Sequence, residues 1–155
     1  METTETDVLV IGAGPAGSIA AAIVHKAGFR VHVVEKEKFP RFVIGESLLP
    51  RCMEVLEEGG FIDALKAKNF QQKFGAKFLK NDRIADFNFS DQFSEGWTWT
   101  WQVPRAEFDQ TLAEVIQQRG IPVEFQTTVT ALEFFEDESS LTTVVDLSGV
   151  EKKIK

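Results

Sequence analysis

Residues suited to holding a phosphate stand close together early in the chain. Gly12-Ala13-Gly14-Pro15-Ala16-Gly17 forms a Gly-x-Gly-x-x-Gly turn, preceded by the apolar run Asp7 to Ile11. Behind it Ile19, Ala20, Ile23, Val24 and Ala27 recur at helical spacing, and Gly28 supplies a left-handed stop. The order is strand, turn, helix. Gly12 permits the tight turn, Gly14 lets a pyrophosphate approach the backbone, and Gly17 lets the helix pack against the strand. Pro15 suits a first helical turn, whose free N–H groups and partial positive charge attract an anion. A second apolar strand, Val31 to Val34, ends at Glu35, 18 residues beyond Gly17. That is close to the roughly 20-residue offset at which a carboxylate accepts bonds from an adenosine ribose and repels a 2′-phosphate. The stretch is expected to bind a dinucleotide.

Other chemically able side chains are scattered. Arg41, Glu46 and Ser47 lie in an irregular stretch, Lys36 to Pro50, at the carboxyl edge where α/β sheets hold ligands. A guanidinium at that edge can pair with a phosphate. Arg105 opens a helical segment, an unfavourable end for a cation, which suggests an anionic partner beyond its own helix. Cys52, the single cysteine, reads as a small buried hydrophobe. His25 and His32 fall inside the first helix and the second strand, where packing explains them.

Composition narrows the class. A net charge of −7 supplies no basic stripe for nucleic acid. One cysteine excludes a disulfide framework and a cysteine-rich metal site, and no metal is expected. No run reaches membrane-spanning length and the N-terminus has no signal-like region, so a soluble cytoplasmic protein is expected. Fourteen Phe and three Trp with no Tyr fit core filling, or a cavity for an aromatic or hydrophobic substrate.

The elements that must position these residues follow in order. Arg51 to Glu58 and Phe61 to Lys68 read as short helices. From Gln72 to Gln102 the period falls to two, giving three strands: around Phe74 to Phe78, around Ile84 to Phe89, and Trp97 to Trp101. Asn81-Asp82 is the turn between the first two. Pro104 to Gly120 is helical, with Phe108, Leu112, Val115 and Ile116 on one stripe, and Ile121 to Phe125 is a strand after it. Thr127 to Phe135, Leu141 to Leu147 and Val150 to Lys155 make a meander. The fold class is α/β: a Rossmann-like three-layer fold with a β-meander, plus the beginning of an antiparallel sheet.

Three stretches now carry a family resemblance: Asp7 to Lys36, then RFVIGESLLP at Arg41 to Pro50, then VPRAEFDQTL at Val103 to Leu112. With Gly-Glu-Ser-x-x-Pro and Arg-x-x-Phe-Asp-x-x-Leu, the chain resembles the flavoprotein monooxygenase superfamily, nearest the flavin-dependent halogenases and geranylgeranyl reductases. The resemblance implies FAD as cofactor. Gly12, Gly14, Pro15, Ala16 and Gly17 would hold its pyrophosphate, and Glu35, with Lys36 beside it, the adenosine ribose. Arg41 and Gly45, Glu46 and Ser47 would run beside the flavin nucleotide, Arg105 would reach its phosphate or ribityl chain, and Val129 would touch adenine through its backbone. Residues 1–69 and 103–155 would form the FAD-binding domain, and residues 70–102 the start of a substrate-domain sheet.

The halogenases use a lysine that relays hypohalous acid. Lys73 and Lys77, 27 and 31 residues beyond Glu46, are the weak candidates for it here. The superfamily's second flavin motif, a Gly-Asp pair, has no counterpart, so the chain is expected to hold the ADP half of FAD within a larger protein and to lack a complete catalytic site. Three functions follow: an FAD-dependent reductase or dehydrogenase of the geranylgeranyl reductase type, a halogenase or aromatic hydroxylase, or a non-catalytic dinucleotide-binding module. The partners implied are a small hydrophobic or aromatic substrate and NAD(P)H or a reduced electron carrier.

Overall fold

The computed structural model describes residues 3–155, which divide into two compact units. One comprises the residues up to Arg41 together with Asp109–Lys155, the other Phe42–Phe108.

In the first unit, β1 (Thr3–Thr4) leads to β2 (Val8–Ile11), α1 (Pro15–Lys26) and β3 (Val31–Glu35). Beta-branched runs make the two longer strands, and β2 and β3 pair in parallel, Val10 opposite Val33. The helix between them is the crossover that parallel pairing requires. All five residues of β3 are buried, as expected of a strand covered on both faces. On one face lies α1. On the other Val34, with Leu9, packs against Val129, Val144 and Ile154 of the meander.

The face that α1 buries differs from the predicted stripe. Ser18, Ala21 and Ala22 are buried, while Ala20 and Ala27 are exposed and Ile19, Ile23 and Val24 are half-buried. The cause is the closeness of helix and strand at Gly17, where a Cβ would stand 1.9 Å from the Gly12 carbonyl oxygen and 3.2 Å from Val10 Cγ1. At that separation only small side chains fit between the elements.

The second unit holds the predicted short helices as α2 (Pro50–Glu58) and α3 (Ile62–Lys66), followed by β4 (Gln71–Lys73), β5 (Gly75–Lys80), β6 (Arg83–Asn88) and β7 (Thr100–Gln102). Cys52 is half-buried on α2, whose buried face is Met53 and Leu56. Strands β5 and β6 form a hairpin whose turn, Asn81 and Asp82, has positive φ at both residues. That is the primed turn matching the right-handed twist of its strands. Of the predicted tryptophan strand only Thr100 and Trp101 pair, with Gln102 beyond it, against β4. Trp97, Trp99 and Trp101 instead contact one another edge to face, with centroids 5.2 and 5.3 Å apart. Phe61, Leu65, Val103 and Phe108 are fully buried, and Phe70 meets Phe108 edge-on.

Helix α4 (Arg105–Gln118) begins in this unit and continues into the first. There β8 (Val123–Phe125) adds to the parallel sheet beside β3, in the order β2-β3-β8. The meander follows as β9 (Thr128–Phe134), β10 (Ser140–Val145) and β11 (Glu151–Ile154), and β1 joins it in parallel with β11. His32 is buried in β3 with Nε2 3.0 Å from Glu124 Oε1, although no hydrogen bond joins them. No helix among the described residues is long and apolar enough to cross a membrane.

Asp7 closes the β2–β3 end of the sheet by accepting bonds from Arg30 Nη2 and from the Arg30 backbone N–H, both at 2.7 Å. The Arg30 side-chain bond, followed by the backbone one, holds the Asp7 carboxyl below its ordinary value. A depressed value means stability present at neutral pH and lost as pH falls through the carboxylate range. Asp7→Asn is therefore expected to melt slightly below wild type at neutral pH and level with it in strong acid, read by thermal unfolding at both.

Candidate dinucleotide site

In the first unit, the turn between β2 and α1 is built from backbone. Gly12 sits at φ +101, donates its N–H to the Val34 carbonyl at 2.7 Å, and has open space where a side chain would go. Pro15 begins the helix, Gly14 is its N-cap residue, and no side chain caps it. Ser18 is the first to bond back, its N–H reaching the Gly14 carbonyl at 2.9 Å. The N–H groups of Ala16 and Gly17 therefore precede the helical ladder and remain available to an anion. Ser18 Oγ also donates to the Ala13 carbonyl at 2.9 Å, from a fully buried position, and locks the turn from inside.

Glu35 takes a larger part than its sequence position indicates. Its Oε2 accepts the Ala13 N–H and its Oε1 the Glu37 N–H, each at 2.8 Å. The carboxylate thus ties the glycine turn to the end of β3. An ionised carboxylate offers about four acceptor positions, so two stay open for hydroxyl groups. Lys36 is exposed just beyond it.

Arg41 supplies the positive charge. A Cβ built on Gly14 would meet only its Nη2, at 3.6 Å. The guanidinium carbon lies 4.6 Å from the centre of the Phe39 ring, which in turn contacts Phe125. Nη1 donates to Asp109 Oδ2 at 3.1 Å. Val129 packs its side chain into the meander core, on the outermost strand of that sheet.

These observations test the implied cofactor. A glycine turn with no Cβ over Gly14, orphan N–H groups, a guanidinium above it and a carboxylate with spare acceptor capacity fit an adenine dinucleotide with its pyrophosphate at the helix end.

The second unit gathers the other predicted residues. Gly45 has φ +119, a conformation side chains disfavour. Arg105 lies over it, with Nη1 3.4 Å from the Ile44 carbonyl and 3.5 Å from that of Gly45. The Glu46 carbonyl accepts the Val103 N–H at 2.8 Å, and Ser47 bridges to Gln102. The two lysine candidates separate clearly. Lys73 donates to Ser47 Oγ and, at 3.2 Å, to the Leu48 carbonyl, with its ammonium 5.4 Å from the Phe89 ring centre. Lys77 is 75% exposed and pairs with Asp86 across the hairpin at 3.0 Å, a solvated pair of little consequence.

Ser18 escapes the sequence reading, and Asp109 enters it only as a motif residue with no role of its own. Each is a polar residue within a helical pattern, and only tertiary contacts show its part.

Comparison with known proteins agrees with this geometry. The family described as FAD binding domain matches residues 5–155. The flavin-dependent halogenase armH3 of Armillaria mellea is 40% identical over 136 residues, covering 87% of this chain and 27% of its own. A tryptophan 2-halogenase of Chondromyces crocatus is 36% identical over 131 residues, covering 84% of this chain and 24% of its own. A solved flavoprotein/dehydrogenase of Cytophaga hutchinsonii superposes with a TM-score of 0.91 at 62% identity, covering 97% of this chain and 37% of that one. The chain thus spans roughly a quarter to a third of the length of proteins it matches.

Proposed function

Because the chain belongs to the FAD binding domain family, we propose that it is the nucleotide-holding portion of an FAD-dependent oxidoreductase that halogenates a small aromatic or hydrophobic substrate. Bound FAD supplies the redox chemistry, taking electrons from a donor such as NAD(P)H or a reduced carrier and passing them on. The residues of this chain bind and orient. The glycine turn and the first N–H groups of α1 receive the pyrophosphate, with Arg41 above it, and Glu35 accepts the adenosine ribose hydroxyls. Gly45, Glu46, Ser47 and Arg105, in the second unit, are the further residues that the family resemblance assigns to the cofactor.

The observation that carries halogenation is Lys73. Its ammonium is fixed by a hydroxyl, a carbonyl and an aromatic face, whereas Lys77 has only its solvated carboxylate partner. A lysine held in this way presents a defined N–H group to a reactant, and halogenases of 40 and 36% identity support the assignment. The test is product formation with reduced FAD, oxygen and halide in the complete protein. Lys73→Ala is expected to abolish halide-dependent product, a loss of at least about a hundredfold if the amine takes part in chemistry, while Lys77→Ala leaves it near wild type. Retained halogenation in Lys73→Ala would refute the assignment.

A second reading, a reductase or dehydrogenase, is favoured by the 62% identical flavoprotein/dehydrogenase. It predicts halide-independent reduction of a carbon double bond, insensitive to Lys73.

A further inference from the structure

The nucleotide cradle leaves one charged group without a task. Asp109 is an ionisable side chain only 1% exposed, on α4, and it accepts a bond from Arg41 Nη1 at 3.1 Å. Arg41 is itself 18% exposed, far drier than a surface arginine. Removing two charges from water costs several kcal/mol each, so a buried pair of this kind returns little net stability and is better understood through the geometry it fixes. That geometry is specific. Phe39 lies against the guanidinium face, Asp109 takes Nη1, and Nη2 is left directed over Gly14. An unsupported arginine would sample many rotamers and lose that freedom on binding.

We propose that Asp109 is a positioning residue for the dinucleotide: it acts through Arg41, holding the guanidinium so that its other nitrogen meets the pyrophosphate above Gly14. The proposal rests on the assignment of FAD to this cradle. Two opposed effects follow from the carboxylate. It orients the guanidinium, which strengthens phosphate binding, and it neutralises part of the positive charge, which weakens it. Because the anion meets Arg41 at short range, where a charge-assisted bond depends on alignment, orientation outweighs neutralisation.

The experiment is binding to the deflavinated full chain of three probes, FAD, ADP and adenosine, in wild type and in Asp109→Asn, an isosteric change that removes the charge and turns one acceptor oxygen into a donor. FAD and ADP are expected to bind about tenfold more weakly in the variant, the equivalent of one charge-assisted bond reduced to a neutral one, and adenosine with unchanged affinity. Arg41→Gln should reproduce that pattern, and Arg41→Gln/Asp109→Asn should be no weaker than Arg41→Gln alone. Unchanged or tighter ADP binding in Asp109→Asn would overturn the proposal, as would a parallel loss for adenosine, which marks general distortion. If Asp109→Asn folds poorly, Arg41→Lys poses the question from the other side: it keeps the charge but not the fork. ADP affinity should fall about tenfold there with adenosine unchanged, and undiminished ADP affinity overturns the proposal. A wild type that takes up neither FAD nor ADP would sink the underlying cofactor assignment as well. Normal uptake by wild type and Asp109→Asn alike would sink this inference alone.

Discussion

Gly17→Ala is expected to unfold the chain well below the wild-type temperature, although alanine favours helix by about 1 kcal/mol over glycine. The position is helical, so no φ strain opposes the change. The obstacle is steric, since the new methyl would stand 1.9 Å from the Gly12 carbonyl oxygen. That oxygen belongs to backbone and cannot rotate away, so α1 must move off β2. Overpacking of this kind costs typically 1 to 3 kcal/mol and sometimes more, which outweighs the propensity gain. At the upper end of that range the net loss is about 2 kcal/mol, which lowers the melting temperature by roughly 4 to 8 °C in a chain of this size. Gly14→Ala is the control, because a Cβ there meets only a guanidinium nitrogen at ordinary contact distance. It should fold normally while obstructing the pyrophosphate. Equal melting temperatures for Gly17→Ala and wild type would refute the account of helix packing.

Glu35→Ala is expected to produce the largest combined effect. It removes the acceptor of the Ala13 and Glu37 N–H groups, and bonds to a charged group contribute about 1.5 to 3 kcal/mol each. The deprived Ala13 donor stays buried. A loss of about 3 kcal/mol in apoprotein stability is expected, together with release of the flavin as the ribose contacts go. Denaturant unfolding of the apoprotein and flavin absorbance of the purified variant read the two effects separately. Glu35→Gln sharpens the test, since an amide can accept one of the two backbone donors but must turn its NH2 toward the other. An intermediate stability with weakened flavin binding is the expected result. Full stability in Glu35→Ala would show that the carboxylate serves only the ligand.

These expectations locate what the chain discloses before it is folded. The strand, glycine turn and helix around Gly12 to Gly17 were legible because each residue type there answers a local demand of backbone geometry. The hairpin turn at Asn81-Asp82 was legible for the same reason, and it could have decided between the lysines. A two-residue turn places Lys77 opposite Asp86 and so commits it to a cross-strand pair. What stayed hidden depends on distance. Asp109 is a polar interruption beside Phe108 and Leu112 until Arg41, 68 residues away, is brought to it. The double duty of Glu35 needs the turn to lie against the strand end. The tryptophan strand was overextended because Trp97, Trp99 and Trp101 alternate as strand residues do, yet β4 offers only Gln71–Lys73 as partner. Strand β1, two residues long, has no period to read.

The glycine turn is held by Glu35 and Ser18 using only groups of the protein itself, and this bears on how a coenzyme arrives. A receptor whose walls stand ready asks little ordering of its guest, so less affinity is spent on making the shape. Amide exchange at Gly12 and Ala13 should accordingly be slow in the apoprotein and hardly slower after loading, with uptake kinetics following collision and not rearrangement.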